Sequence, residues 1–471
     1  MNNKDHGKET GLARRLSPLN VCALAFGCII GWGAFVMPGQ TFLGAAGPLG
    51  TAIALLLAAL IMLVIACNYH YMIQRYPVAG GEFTYAQQSF GNRHAFVCAW
   101  FLGLSYLAIV PLNGTALALI GRNLLHNIFQ WGFHYRVAGY DVYCGEILLA
   151  AGALLLFAYL SIRGVKFSGV FQTALALSLV GGVVIVALAA LLSPKASWAS
   201  LRPAFPPSTS RMAGILAVVA IAPWAFVGFD TVPQAAEEFD FPPEKTRRIM
   251  AVSIFFGAAV YILLNTITAA AIPPDYASWT DYIGAVDSLS GLVSLPTFHA
   301  AYLLLGSGGL FVLSIAVLAA ILSGIIGFYM AASRLIFSMS RERLLPAWFG
   351  HLHPAFHTPS HAILFVMGIS LLAPFFGRTA LGWIVDMSSL GAAIGYGYTS
   401  AAAAKLAAEE GNRPVFVTGI LGVVFAVIFA VLLLVPVPGL HTSLGRESYL
   451  CLAVWIVMGL VFYRARMKER S

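Results

Sequence analysis

Two aspartates stand where a charge is costly. Asp230 and Asp386 lie deep inside long apolar runs, whereas the other 17 of the 19 acidic residues fall at termini, in loops or at run ends. No Lys or Arg accompanies them at depth. A carboxyl group in hydrocarbon must be hydrated, protonated or paired, so the chemistry open to these two is holding a cation or a proton. The plainer alternative is a carboxyl hydrogen-bonded to neighbouring helices.

The second chemical feature is a pair of helix-breaking segments. One reads Gly27-Cys28-Ile29-Ile30-Gly31-Trp32-Gly33-Ala34-Phe35-Val36-Met37-Pro38-Gly39, with three glycines in seven residues. The other reads Ala222-Pro223-Trp224-Ala225-Phe226-Val227-Gly228-Phe229-Asp230-Thr231-Val232-Pro233. Alone, each is a kink or a close-packing site. As a pair they say more: Gly31 and Gly228 are 197 positions apart, and each sits in the first of five consecutive apolar runs. Such paired interruptions point to an inverted-repeat transporter, in which half-helix ends present amides and carbonyls to substrate and ions near the midplane.

The elements that must position these residues are membrane helices. Of 471 residues 59% are apolar, 13% aromatic and only 10% charged, and the mean hydropathy is +0.84. A soluble domain carries about 25% charged residues, so an ordinary soluble enzyme, a disordered chain and a nucleic-acid binder are excluded. The apolar runs are long and lack period-two alternation, which argues for helices over a transmembrane barrel. Twelve spans are expected, at 18–42, 46–74, 95–120, 145–162, 167–192, 212–236, 249–272, 300–335, 361–376, 380–404, 414–436 and 447–464. The expected organisation is a tail at 1–17, a five-helix repeat at 18–192, a second, inverted one at 193–406, two additional helices at 407–464 and a tail at 465–471.

Basic residues set the orientation. With the N-terminus inside, 20 of the 27 Lys and Arg residues fall on the cytoplasmic side, and Arg122, Arg136, Lys195, Arg202, Arg211, Arg378 and Arg446 fall outside. Both termini are therefore expected in the cytoplasm, and the +8 net charge needs no polyanionic partner. The first run follows Arg14-Arg15 as a signal sequence would, but eleven further runs and no convincing cleavage site make it an uncleaved helix. The six cysteines form no spacing pattern; the five inside spans, Cys22, Cys28, Cys67, Cys98 and Cys451, read as small packing residues.

Four segments carry a family resemblance. They are the Gly-Cys-Ile-Ile-Gly-Trp-Gly stretch from Gly27, Pro77-Val78-Ala79-Gly80-Gly81-Glu82-Phe83-Thr84-Tyr85 in the loop after span 2, Phe226 to Asp230 followed by Ala235-Ala236-Glu237-Glu238, and Ala332-Ser333-Arg334 through Leu345-Pro346. In this order they resemble the amino acid–polyamine–organocation superfamily of permeases, over essentially the whole chain. The resemblance implies an all-α integral membrane fold of the LeuT type, a five-plus-five inverted repeat with broken helices 1 and 6. Substrate would lie between helices 1, 3, 6, 8 and 10.

It further implies that the backbone at Ile30, Gly31, Trp32 and Gly33 faces a substrate carboxylate. The carbonyls from Ala222 to Phe226, Ala225 among them, would accept from a substrate ammonium. By likeness to arginine–agmatine antiporters, Trp224 falls on a substrate-stacking tryptophan and Asp230 on a gating acid. Phe328 falls on an aromatic that contacts a cation, and Asp386 on a serine near the distal guanidinium. Two departures stand out. Trp32 fills a place usually held by Ser or Thr, and the helix 5 lysine of many proton-coupled relatives has no counterpart near Ser178 or Leu179. Ser323 beside Gly324 offers one hydroxyl toward a sodium site, which leaves sodium coupling unsupported.

Other polar clusters are weaker. His351, His353, His357 and His361 share one loop, but Pro354 and Pro359 break any helix that would align them. Glu237, Glu238, Asp240 and Glu244 followed by Lys245, Arg247 and Arg248 read either as an inner gate or as a solvated loop. Asp275, Asp281 and Asp287 make the loop between spans 7 and 8 acidic. A membrane hydrolase lacks its motifs, with no His-Glu-x-x-His and no Gly-x-Ser-x-Gly in a span, and paired broken helices suit alternating access better than a channel.

The expectation is thus a plasma-membrane secondary transporter without catalytic residues, cofactor or metal. Its partners are the lipid bilayer, an amino acid or amine with a slight preference for a cationic one, and a coupling proton. The alternative is a neutral amino acid permease.

Overall fold

Backbone that crosses hydrocarbon must satisfy its own hydrogen bonds, and long apolar runs do so as helices. The computed structural model describes residues 12, 14–124, 128–137, 140–289, 291–377, 379–437 and 443–470, and these are nearly all helical. In chain order the helices are α1 (Pro18–Ile29), α2 (Gly33–Met37), α3 (Leu43–Arg75), α4 (Glu82–Phe90), α5 (Asn92–Leu124), α6 (Cys144–Arg163) and α7 (Val165–Leu192). Then come α8 (Arg211–Ala220), α9 (Ala222–Ala225), α10 (Thr231–Gln234), α11 (Thr246–Ala270), α12 (Trp279–Ala285) and α13 (Pro296–Leu305). The last are α14 (Ser307–Arg341), α15 (Ser360–Ser370), α16 (Thr379–Glu409), α17 (Arg413–Leu434) and α18 (Arg446–Arg470).

Among the described residues eight helices are long and apolar enough to cross a membrane, which makes this a multi-pass membrane protein. Shorter apolar helical stretches at Pro18–Ile29, Arg211–Ala220 and Ser360–Phe376 fall on the expected first, sixth and ninth runs. The first is short because the helix stops at Ile30 and restarts at Gly33. The sixth is cut into α8, α9 and α10, with Pro223 and Pro233 withholding amide donors and Gly228 at φ +142° between them.

Several expected boundaries move. The segment after span 2, read as a loop through Tyr85, turns into α4 at Glu82 after two left-handed glycines, Gly80 and Gly81. The eighth run divides at Gly306, φ +64°, so residues 300–305 belong to α13 and the long helix runs to Arg341. A two-stranded hairpin, β1 (His134–Val137) with β2 (Tyr140–Tyr143), precedes α6 and interrupts an otherwise all-α expectation. Residues 465–470, read as tail, continue α18. Of the expected N-terminal tail only residues 12 and 14–17 are described; Lys4, Lys8, Arg378 and Ser471 lie outside the described residues.

α5 and α14 are the most buried of the long helices, and α17 and α18 show most of their surface. α5 packs against α14 and α16, α14 against α7, and α3 against α11. Small residues let backbones meet: a Cβ on Gly419 of α17 would lie 2.7 Å from the Cβ of Ala404 in α16. Asn68 of α3 ties the same seam, donating to the Thr418 carbonyl at 3.0 Å and the Ser400 hydroxyl at 3.1 Å. α18 is clasped to α5 by reciprocal indole bonds, Trp100 Nε1 to the Trp455 carbonyl at 3.0 Å and Trp455 Nε1 to the Trp100 carbonyl at 3.1 Å.

Gly228 gives the first prediction. A Cβ there would lie 2.5 Å from the Ile29 amide nitrogen and 2.8 Å from the Cys28 carbonyl carbon, on a backbone that only glycine adopts freely. Gly228→Ala should cost about 1–3 kcal/mol from strain alone, read as a fall in the melting temperature of purified protein. Gly368→Ala in α15, where a Cβ meets nothing within 4 Å, should leave it unchanged or raise it. Equal melting temperatures for the two variants would refute the close approach.

Candidate functional site

The two broken segments meet. Ile30 ends α1, its amide reaching the Phe26 carbonyl at 2.9 Å, and Gly31 and Trp32 lie between α1 and α2. A Cβ on Gly33 would stand 2.1 Å from Cη2 of Trp224, so the indole rests directly on the Gly33 backbone. Trp224 and Gly33 are both buried, and Trp32 is half-buried. α9 is held from the other side by Tyr396 of α16, whose hydroxyl donates to the Pro223 carbonyl at 3.4 Å. The carbonyls of Ala222 and Trp224 already accept from the amides of Phe226 and Val227, at 3.1 and 3.2 Å, so a ligand ammonium would use their second lone pairs.

α5 brings a residue that sequence reasoning passed over. Asn113 donates from Nδ2 to the Ile109 carbonyl at 3.0 Å, while its Oδ1 is buried without a partner. A Cβ on Gly31 would lie 3.7 Å from that oxygen, and one on Gly324 of α14 would lie 2.7 Å from Nδ2. The carboxamide therefore stands between the first-helix break and α14. Its sequence signal is an amide in the middle of an apolar run, in Pro111-Leu112-Asn113-Gly114-Thr115.

Ser323 sits one residue from this contact, and its hydroxyl accepts from the amide of Gln172 in α7. Gln172 Nε2 also reaches the Ser323 carbonyl at 3.2 Å. Gln172, not Ser178, is thus the polar residue that this helix turns inward. Leu179 lies two turns from Gln172 on the same buried face, whereas Ser178 is exposed and its hydroxyl turns back to the Ala174 carbonyl at 3.0 Å.

Below Trp224 the chain buries acids. Asp230 is fully buried; its Oδ1 accepts from the Gly228 amide at 2.7 Å and its Oδ2 from the Tyr106 hydroxyl at 3.2 Å. Phe328 packs on that Tyr106 ring, centroids 6.0 Å apart. Glu82 at the start of α4 is also fully buried, with Gln234 Nε2 donating to its Oε2 at 2.5 Å and Tyr106 OH 3.4 Å from its Oε1. The sequence hid Glu82 because the Pro77 and Gly80-Gly81 before it read as a loop. Asp386 stands apart from all of these: its Oδ2 accepts from the Ser448 hydroxyl at 2.6 Å and the Gly445 amide at 3.3 Å, at the start of α18. A helix start supplies free amides, which is why a carboxylate is tolerated there.

One step further along, the acidic cluster after α10 is a fastening. Glu238 and Arg334 pair at 2.7 Å with side chains 1% and 2% exposed. Glu237 meets Arg341 at 3.1 Å and accepts from the Leu12 amide at 3.0 Å and the Ala79 amide at 3.2 Å. Leu16 bridges to Phe239, with the Arg15 and Leu16 amides on the Glu238 carbonyl at 2.9 and 3.0 Å. At this same end Arg75 pairs with exposed Glu410, and its guanidinium, with help from the Tyr71 hydroxyl, holds that carboxyl below the usual range. His351 and His361 stack at 4.3 Å, but among the described residues no three His, Cys, Asp or Glu side chains gather as metal ligands would.

Comparison with known proteins comes to bear on this geometry. The sequence pattern described as amino acid permease matches residues 16–461. The chain is similar to cationic amino acid transporter 4 of Mus musculus, 27% identical over 444 residues that cover 87% of this chain and 62% of the relative. It is 26% identical to the methylthioribose transporter of Bacillus subtilis over 82% of this chain and 80% of that protein. To the branched-chain amino acid permease BcaP of the same organism it is 25% identical, over 98% of this chain and 95% of the permease. The chain thus spans about three fifths of the mouse transporter.

The buried ion pair yields the second prediction. Glu238→Ala leaves the Arg334 guanidinium buried without its partner, which should cost about 3–5 kcal/mol of stability. Replacing both residues by Met should restore most of the melting temperature, since packed apolar side chains substitute well for a buried pair. A single-variant loss no larger than that of Arg341→Ala, which breaks the more exposed Glu237 pair, would refute the pairing.

Proposed function

We propose that this chain, which belongs to the amino acid permease family, moves an amino acid or a related amine across the membrane by alternating access. The observation that carries the reading is the seating of Trp224 on Gly33, where two broken helices touch. At such a place the backbone amides from Gly31 to Gly33, ahead of the bonded amides of Ala34 and Phe35, and the carbonyls of α9 would offer a carboxylate and an ammonium opposite partners. Gly31, Trp32 and Gly33 would take the carboxylate. Ala222, Ala225 and Phe226 would present carbonyls, with the unpartnered Asn113 Oδ1 as a further acceptor. Trp224 would form the apolar wall, and Phe328 would act one layer below it through Tyr106.

The architecture proposed with this function is a twelve-span bundle of the LeuT type, spans 1–5 and 6–10 forming an inverted repeat. The end carrying Arg75, Glu237 and Arg341 would face the cytoplasm, with both termini there and the plasma membrane as location. In that frame the Glu238–Arg334 and Glu237–Arg341 pairs close the cytoplasmic side. Asp230 would serve as the coupling group and exchange a proton between states. Ser323, with its hydroxyl taken by Gln172, would brace helices 5 and 8 beside the first break.

On substrate charge, the deep acids Asp230 and Glu82 favour a cationic amino acid or amine, as the name of the mouse relative also suggests. A second reading, a neutral amino acid, is favoured by Asp386, one of whose oxygens is engaged by Ser448 and Gly445 at the start of α18 rather than held ready for a distal cation.

A thermal-shift screen against amino acids, their decarboxylated amines and polyamines tests the class, since a ligand of the folded state raises its melting temperature. Trp224→Ala should then abolish saturable binding while the protein stays monodisperse. A variant that misfolds without a specific binding defect would return Trp224 to the packing core. Asp386→Asn should alter the affinities for lysine and for leucine by the same factor, within about twofold. A selective loss for lysine of tenfold or more, about 1.4 kcal/mol, would restore Asp386 as a counter-ion.

A further inference from the structure

Two fully buried carboxyl groups from distant parts of the chain converge on a single hydroxyl. Tyr106 OH lies 3.2 Å from Asp230 Oδ2, 3.0 Å from the Asp230 carbonyl and 3.4 Å from Glu82 Oε1. The remaining oxygens are already served, Asp230 Oδ1 by the Gly228 amide at 2.7 Å and Glu82 Oε2 by Gln234 Nε2 at 2.5 Å. A phenol carries one hydrogen, so three acceptor oxygens around it cannot all be satisfied by it. One more proton, on either carboxyl, turns an acceptor into a donor to the phenol oxygen and leaves two acceptors for the phenol hydrogen in place of three.

The surroundings point the same way. The titratable groups facing the pair are Tyr69 of α3, Tyr85 of α4, Cys98 and Tyr106 of α5, Cys28 of α1 and Tyr396 of α16. None of them is a Lys, Arg or His, and among the described residues neither carboxyl enters an ion pair. Arg334, a buried cation of α14, is paired with Glu238. Two like charges against one another in a site without a cation cannot both persist.

We infer that Glu82 and Asp230 together form a proton-binding site that holds one shared proton when the Arg75 end of the bundle is closed, and that releasing it loosens this end. The inference deepens the proposed coupling role of Asp230 and rests on that reading for its link to transport. The mechanical link is short. Glu82 follows the Gly80-Gly81 turn, where a Cβ on Gly81 would lie 2.8 Å from Pro233 of α10 and one on Gly80 2.5 Å from Ser338 of α14. The residue before that turn, Ala79, donates its amide to Glu237. Ionising both carboxyls therefore pushes α4 and its turn away from α10, at the seam that Glu237 fastens.

The test reads the proton itself, in full-length purified protein without any ligand. Infrared difference spectra over a pH titration should show a protonated carboxylic acid carbonyl band at pH 7 in the wild type. The double variant Glu82→Gln, Asp230→Asn should lack it. In Glu82→Gln alone the neighbouring charge is gone, so Asp230 should release its proton at least tenfold more readily, its titration midpoint falling by one pH unit or more. Absence in the wild type of a pH 7 band that the double variant removes would overturn the proposal, whether or not the variants transport. A band that Asp230→Asn removes, with a midpoint unmoved by Glu82→Gln, would overturn the shared site and leave Asp230 as a lone coupling acid. A wild type that takes up no amino acid or amine into proteoliposomes, with the band and its shifts intact, would instead refute the transport reading alone.

Discussion

Hydrocarbon offers the backbone no partner, so a membrane helix can stop halfway only where other protein groups surround the stop. Here the two stops surround each other. Gly228 lies so close to Cys28 and Ile29 that a side chain would not fit, and the Gly33 backbone is covered by Trp224. The opened backbone of the second break is re-satisfied locally: Thr231 Oγ1 donates to the Gly228 carbonyl at 2.6 Å, and Asp230 takes the Gly228 amide. Tyr261 of α11 reaches the Ile29 carbonyl at 3.5 Å from the far side. The packing of α5, α14 and α16 around this centre follows from the need to keep it enclosed.

The same constraint explains how the fold treats charge. Glu146, buried at the start of α6, is met by Arg122 in a two-pronged pair with contacts of 2.6 and 2.5 Å. Glu238 has Arg334. Asp386 has a hydroxyl and a helix-start amide. In the first two a guanidinium offsets the charge, and in the third a hydroxyl and an amide share one carboxylate oxygen. Glu82 and Asp230 differ from the two Arg-paired acids, because their donors are a phenol, an amide and a carboxamide, and none of these brings a positive charge. A charge state held only by neutral donors is the one most easily changed.

What the sequence disclosed and concealed follows from the same physics. Helix breaks were legible because Gly and Pro act through the backbone, whose rules are local, and Gly31, Gly33, Pro223 and Gly228 all lie at interruptions. The long apolar runs were legible for a similar reason, hydropathy being a property of a window. Burial of a single polar side chain is a tertiary fact. Glu82 follows a Gly-Gly turn and read as a loop residue, yet it is fully buried at the start of α4; Asp386 sits in an apolar run and looked isolated, yet α18 comes back to it. Ser178 and Gln172 show the cost of a count along a helix: six positions turn the side chain well away from the inner face, where Leu179 and Gln172 lie.

The fifteen residues from Trp224 to Glu238 carry the indole seated on Gly33, the break, the buried acid and the fastening in succession. α10 is pinned through Glu237 and Glu238 to α14 and to the N-terminal segment, whereas α9 is held by Gly33 and Tyr396. Between the two short helices the main chain passes through Phe226 to Asp230, where Gly228 alone has positive φ. A displacement of Trp224 cannot pass along a continuous helix, because there is none. It must be taken up at Gly228, whose amide is bonded to the Asp230 carboxyl. Movement of Trp224 and a change in the charge of Asp230 would therefore act on the same peptide, and each would alter the free energy of the other.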